Sequence, residues 1–139
     1  MSKVRFYNTP SSWEIDVSEV DRWLSTVALM EGLRLVEISY RFLSDDEMRL
    51  ENVRLLEHDY YTDVITYGEV RGTRIYGDVI VSYERITDNA NRLNNSLLDE
   101  RDRVFVHALL HLCGYDDQSE VDRLKMRKLE DKYLALRSK

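Results

Sequence analysis

The chain has 139 residues and a mass of 16.5 kDa, one ordinary domain's worth of sequence and enough to bury about two-thirds of the unfolded chain's surface without cross-links. With 43% hydrophobic and 33% charged residues it is too apolar for a disordered chain and too charged for one embedded in a membrane. Twenty Lys and Arg against 26 Asp and Glu leave a net charge of −6, so a broad electrostatic grip on nucleic acid is excluded and any such contact must be local.

Taken in chain order, Val4 and Phe6 predict a short opening strand, and the sequence then turns helical. Ser18 with Asp21 has the pattern in which a serine caps a helix and an acid three residues on faces the open amides. The stripe Val20, Trp23, Leu24, Val27 and Met30 follows it at helical spacing. Val36, Ile38, Tyr40 and Phe42 alternate with Glu37, Ser39 and Arg41, the clearest half-buried strand in the chain. Ser44 with Glu47 opens a second, weaker helix carrying Leu50, Val53 and Leu56. Two strands are expected at Asp63 to Tyr67 and Thr73 to Ser82, with Arg71-Gly72 at the turn between them, where glycine takes positive φ without strain. Tyr83, Ile86, Ala90 and Leu93 suggest a helix without that cap. Ser96/Asp99 and Ser119/Asp122 start the last two, the final one striped by Val121, Leu124, Leu129, Tyr133 and Leu136. The expected order is β-α-β-α-β-β-α-α-α. That order predicts an α+β fold over residues 1–139, a small mixed sheet of about four strands with five helices packed on it.

Composition adds a compartment. Cys113 is the single cysteine, and no stretch has the basic start, apolar middle and small-residue cleavage site of a signal peptide, so a cytoplasmic protein is expected. The longest nearly apolar run, Val104 to Cys113, is about half a membrane span and contains two histidines. The richest basic stretch, Arg123, Lys125, Arg127 and Lys128, is flanked by Asp122, Glu130 and Asp131 and reads as a solvated helix face.

Chemistry concentrates at the end of the helix that Ser96 starts. His107 and His111, four residues apart, are separated by about 40° of rotation and about 6 Å of rise, so both imidazoles can reach one metal ion. Valine, phenylalanine, alanine and leucine fill the turns around them, and buried imidazoles need a polar partner that a metal would supply. Gly114 ends the helix where a left-handed residue lets the chain turn back, bringing Asp116 or Asp117 toward the same face. Two neutral imidazoles and one carboxylate suit zinc, and three protein ligands leave a position for water. Cys113, about 200° around the helix from His111, reads as a small buried hydrophobe instead.

Residues 107 to 117, His-Ala-Leu-Leu-His-Leu-Cys-Gly-Tyr-Asp-Asp, resemble the His-Gly-x-Leu-His-Leu-x-Gly-Tyr-Asp-His motif of the YbeY family, bacterial metal-dependent endoribonucleases of ribosomal RNA maturation. Thr62-Asp63-Val64-Ile65-Thr66-Tyr67 is similar to the family's Thr-Asp-Val-Leu-Ser-Phe, and Gly77 to Ser82 to its Gly-Asp-Ile-x-Ile-Ser. The resemblance implies an α+β fold with a zincin-like metal helix and one catalytic zinc ion per chain. It implies ribosomal RNA and small-subunit ribosomal proteins as partners, in rRNA end processing and ribosome quality control. His107 and His111 carry over as ligands. The third family histidine falls on Asp117, where a carboxylate oxygen is an ordinary substitute that adds a negative charge, with Asp116 as rival ligand or as an acceptor orienting a histidine ring. The family arginine falls on Leu56, three residues before Asp59, and His58 or Arg54 would have to stand in for it as the cation on an anionic transition state.

Two other activities stay open at this stage, a metal-stabilised but non-catalytic ribosome-assembly factor and a metallopeptidase-like hydrolase. The latter is weakened by Ala108, which stands where zincin peptidases carry their glutamate base, a residue worth a factor of about a hundred to ten thousand in rate. Thr62, Asp63 and Asp78 either line the site or cap turns. Tyr60, Tyr61 and Tyr67 are more cheaply explained by sheet packing than by base stacking.

Overall fold

The structure, a computed structural model, describes residues 3–56 and 64–137, and the side chains of residues 3–51 and 64–137. Among the described residues nine elements follow in the expected order: β1 (Val4–Tyr7), α1 (Val17–Met30), β2 (Arg34–Leu43), α2 (Asp45–Leu56), β3 (Val64–Arg71), β4 (Arg74–Ser82), α3 (Tyr83–Leu93), α4 (Leu97–Leu112) and α5 (Glu120–Leu134). The fold is α+β, a four-stranded mixed sheet in the order β1-β2-β4-β3. β1 and β4 run parallel to β2 on either side of it, while β3 pairs antiparallel with β4 through the Gly72-Thr73 turn. Parallel neighbours need a crossover, and α1 supplies the one between β1 and β2.

Strand alternation sends Ile38, Tyr40 and Phe42 of β2 and Ile75, Val79 and Val81 of β4 into one core with Val20, Trp23, Leu24 and Val27 of α1 and Phe105, Val106, Leu109 and Leu110 of α4. The buried Tyr40 hydroxyl donates to the Phe105 carbonyl at 2.7 Å, fixing the middle of α4 over β2. α2 covers part of the other sheet face through a smaller cluster of Leu43, Met48 and Ile65.

Four local expectations need correction. α1 is capped by Asp16, whose carboxylate accepts from the Glu19 amide at 3.1 Å, and not by Ser18. Asp21, read as part of that cap, instead accepts from the amides of Lys3 and Val4 and anchors the start of β1. In β2 the pairing register shifts between Leu35 and Glu37, so Val36 is the extra residue of a bulge and Leu35 is the one buried. α3 has a cap after all, since Ser82 Oγ accepts from the Arg85 amide. On α5 the buried residues are Met126, Glu130 and Tyr133, while Val121 and Leu124 are 75% and 61% exposed. A face with a glutamate at its centre is invisible to a search for apolar stripes.

Candidate metal centre

Ser96 accepts from the Asp99 amide and starts α4, which runs through the core and delivers His107 and His111 on its last two turns. Its end is seated by a notch in the sheet. Gly68 and Gly77 face each other across β3 and β4, and a Cβ on either would meet the Leu112 side chain, at 2.7 Å in the case of Gly68. Leu112 therefore docks where two side chains are missing, and the neighbouring His111 is placed with it. Gly114, at φ +107°, then reverses the chain, with the Tyr115 amide donating back to the Leu110 carbonyl at 3.1 Å.

The reversal brings Asp117 onto the histidine face. Its Oδ2 is 3.3 Å from Nε2 of both His107 and His111, and those two nitrogens are 3.1 Å apart. Asp116 stays outside this triangle and its carboxylate accepts from the Asp117 amide at 2.8 Å. The three side chains are 21%, 27% and 37% exposed, open to a substrate yet largely shielded from bulk water.

Second partners decide what the ring nitrogens offer. His111 Nδ1 lies 3.0 Å from the Tyr115 carbonyl, which only accepts, so Nδ1 must carry the proton. His107 Nδ1 lies 2.6 Å from Oε2 of Glu130, which imposes the same tautomer. Each neutral ring then presents a lone pair at Nε2, and these two face each other and a carboxylate oxygen. Three acceptors in mutual contact repel unless a cation stands among them, a proton in the metal-free protein or a metal ion. Donors at the corners of a zinc tetrahedron with bonds of about 2.0–2.1 Å are about 3.3–3.4 Å apart, close to the observed edges. The residues fit the metal.

Glu130 is the functional residue that sequence reasoning missed. It is buried on α5, accepts from Arg103 Nη1 at 2.9 Å through its other oxygen, and so joins a carboxylate, a histidine and the metal position in the arrangement that fixes ring orientation at metal sites. Arg103 also donates to Asp131 at 2.7 Å. The only available signal was an acid three residues before a buried tyrosine and four after a buried methionine.

Cys113 lies beyond the triangle, and burial, with Glu31 adding to it, pushes its thiol up to about 12. Asp78 alternates away from the core-facing Gly77 and Val79, is exposed, and accepts from Ser39 Oγ on the far face of the sheet. Tyr67 pairs with Asp78 on that same face. Neither lines the site. His58, Asp59, Tyr60, Tyr61, Thr62 and Asp63 lie outside the described residues, as do the side chains of Arg54 and Leu56.

The triangle opens into a cleft of about 810 Å³ between α3, α5 and β3. Val64, Leu93, Val104 and Leu112 make its apolar wall, and Arg92, Arg103 and Arg127 bring positive charge to it. Arg127 was read as part of a solvated helix face. It is exposed, but it lines the cleft and makes no hydrogen bond or ion pair with any described residue.

A profile of the family described as Endoribonuclease YbeY matches residues 7–137. Among curated proteins, the chain is 40% identical over 124 residues to the Endoribonuclease YbeY of Bacteroides thetaiotaomicron, covering 89% of this chain and 90% of that one. It is 42% identical over 122 residues to that of Cytophaga hutchinsonii, covering 86% and 85%. With that of Porphyromonas gingivalis it shares 36% over 137 residues, covering 98% and 91%. The solution structure of TM1509 from Thermotoga maritima has the same fold, with a TM-score of 0.66 at 24% identity over 97% of this chain and 90% of that one.

Proposed function

The chain belongs to the YbeY family of endoribonucleases and is a hydrolase acting on RNA, and from that premise we propose that its reaction takes place at His107, His111 and Asp117, with one zinc ion per chain and ribosomal RNA as substrate. Small-subunit ribosomal proteins are its neighbours in this reading, and the cytoplasm its compartment. Among the described residues no helix is long and apolar enough to cross a membrane. The observation that carries the reading is the convergence of three lone-pair donors, with no hydrogen-bond donor among them, at one wall of a cleft that also carries arginines.

When bound, the ion supplies the Lewis acidity that makes water a nucleophile near neutral pH and draws charge from a phosphoryl oxygen. The remaining work belongs to the chain. Glu130 holds the proton on His107 Nδ1 and the Tyr115 carbonyl holds the one on His111 Nδ1, so both rings would present the Nε2 lone pair to the metal. Arg103 neutralises Glu130, which leaves that carboxylate unavailable as the base for water. Arg127 on the α5 wall, with no partner among the described residues, and Arg92 on the α3 wall, bonded among them to Asn89, are assigned to the phosphates flanking the cut. They also offset the negative charge that Asp117 brings in place of the family histidine. His58 or Arg54, whose side chains lie outside the described ones, is the candidate for a further cation on the transition state.

The test is cleavage of a structured ribosomal RNA fragment by highly purified protein, zinc-loaded or chelated, with His107→Ala prepared in parallel. Cleavage is expected to need both metal and His107. Cleavage that survives chelation, or that the variant retains undiminished, would overturn the assignment of the site.

A further inference from the structure

Glu31 sits at the C-cap of α1, where the helix macrodipole disfavours an acid, and the last turn of α1 carries no basic residue to offset it. Its partners among the described residues are two phenols. Tyr115 Oη donates to Oε1 at 2.5 Å and Tyr133 Oη donates to Oε2. A residue that opposes its local helix preference without an ion pair marks a demand from elsewhere in the fold.

The two phenols belong to the two segments that hold the histidines. Tyr115 lies in the turn after α4, and its own carbonyl is the acceptor for His111 Nδ1. Tyr133 lies on α5 one turn after Glu130, the acceptor for His107 Nδ1, and its carbonyl takes the Trp23 Nε1 proton at 2.7 Å. One carboxylate thus ties the end of α1 to the residue whose carbonyl accepts from His111 and to the helix that carries Glu130, through charge-assisted hydrogen bonds and without bonding to either histidine itself. We propose that Glu31 is a positioning residue for the metal centre, a clamp that fixes the orientation and tautomer of both histidines through Tyr115 and Tyr133. The proposal rests on the reading of His107 and His111 as metal ligands.

The clamp has two arms, and the arms separate experimentally. In metal-free protein, ¹⁵N NMR of the imidazoles should show Nδ1 protonated in both rings, with the one proton among the three acceptors shared on the Nε2 side. Tyr115→Phe removes one hydroxyl and should release the His111 ring into a tautomer mixture while leaving His107 pinned. Tyr133→Phe should do the reverse, and Glu31→Gln should loosen both. Zinc affinity, measured by competition with a chromophoric chelator, should fall about tenfold in each variant, the lower end of what outer partners of metal ligands contribute. Thermal unfolding of the same metal-free samples records the loss of stability that a purely architectural role would cause. Variants that lose stability but keep both ring signatures and a zinc affinity within twofold of the parent would overturn the clamp. If the parent chain takes up no zinc while the arm-specific ring changes appear, the clamp stands and the metal reading falls.

Discussion

The position of one proton on each imidazole decides what His107 and His111 can do, and neither proton is set by the histidine itself. An acceptor at Nδ1 forces the lone pair to Nε2, where a metal can use it. Asp117 closes the triangle with a carboxylate oxygen, so in the proposed centre Asp117→Ala should abolish one-to-one zinc binding and Asp117→His should retain it, as metal analysis after dialysis would show. A variant that keeps its zinc without a side chain at 117 would remove Asp117 from the ligand set. Arg127 has a different task. Arg127→Ala should raise KM for RNA about tenfold, leave kcat within a few-fold, and lower the salt dependence of binding by about one ion, while zinc content stays unchanged. An unchanged KM would return Arg127 to the solvated face from which it was first read.

At the scale of elements, the site depends on where α4 stops. Its last turn is seated by Leu112 in the Gly68–Gly77 notch, a contact between a helix and the only antiparallel pair in the described sheet. Gly77→Ala places a methyl against Leu112, in a fully packed position, and overpacking of this kind costs about 1–3 kcal/mol. The helix end must shift to accept it, so zinc affinity should fall along with stability in denaturant unfolding. Paring back the obstructing side chain with Leu112→Ala in the Gly77→Ala background should restore part of the affinity. Failure of that rescue would show that the notch does not seat the helix end. The caps illustrate how local the helix starts are. Ser44, Ser96 and Ser119 each accept from the amide three residues on, as the pattern predicts, whereas at α1 a nearby aspartate took the cap and left Asp21 to fasten β1.

Across the whole molecule, α1, the turn after α4 and α5 meet at Glu31, and a pH dependence follows. The hydrogen bond from Tyr115 to Glu31, with burial adding to it, pushes the phenol up to about 12, and burial followed by the same carboxylate raises Tyr133 above the ordinary range. A phenol that holds its proton longer folded than unfolded contributes stability that is complete below its ordinary pKa of about 10 and is lost as pH rises toward 12. Thermal unfolding should therefore show an alkaline decline between about pH 10 and 12, shallower in Tyr115→Phe. An equally steep decline in that variant would mean that Tyr115 gains nothing from Glu31. A second set of charges ties the opposite end of α4, where buried Arg101 and Asp102 pair at 3.0 Å and Arg137 from the C-terminal side of α5 joins Asp102 at 2.9 Å. Polar contacts thus fasten α4 along its length, to Arg137 beyond α5 near its start, to β2 through Tyr40 in its middle and to Glu130 of α5 near its end.

The sequence by itself determined the element order, the α+β class and the pair of histidines on one helix face, because periodicity, caps and i, i+4 spacing are properties of neighbouring residues. It narrowed the third corner to two adjacent aspartates, and the Gly114 turn decided for Asp117, since only the path of the chain after α4 chooses which carboxylate faces Nε2. Glu130, Arg103 and Glu31 were legible only in three dimensions. Each acts across 20 or more positions of sequence, on a partner supplied by another element. An acid on a helix face looks the same in a sequence whether it meets water, an arginine or an imidazole. Tertiary packing alone decides which, because it brings α5 and the end of α1 against the last turns of α4.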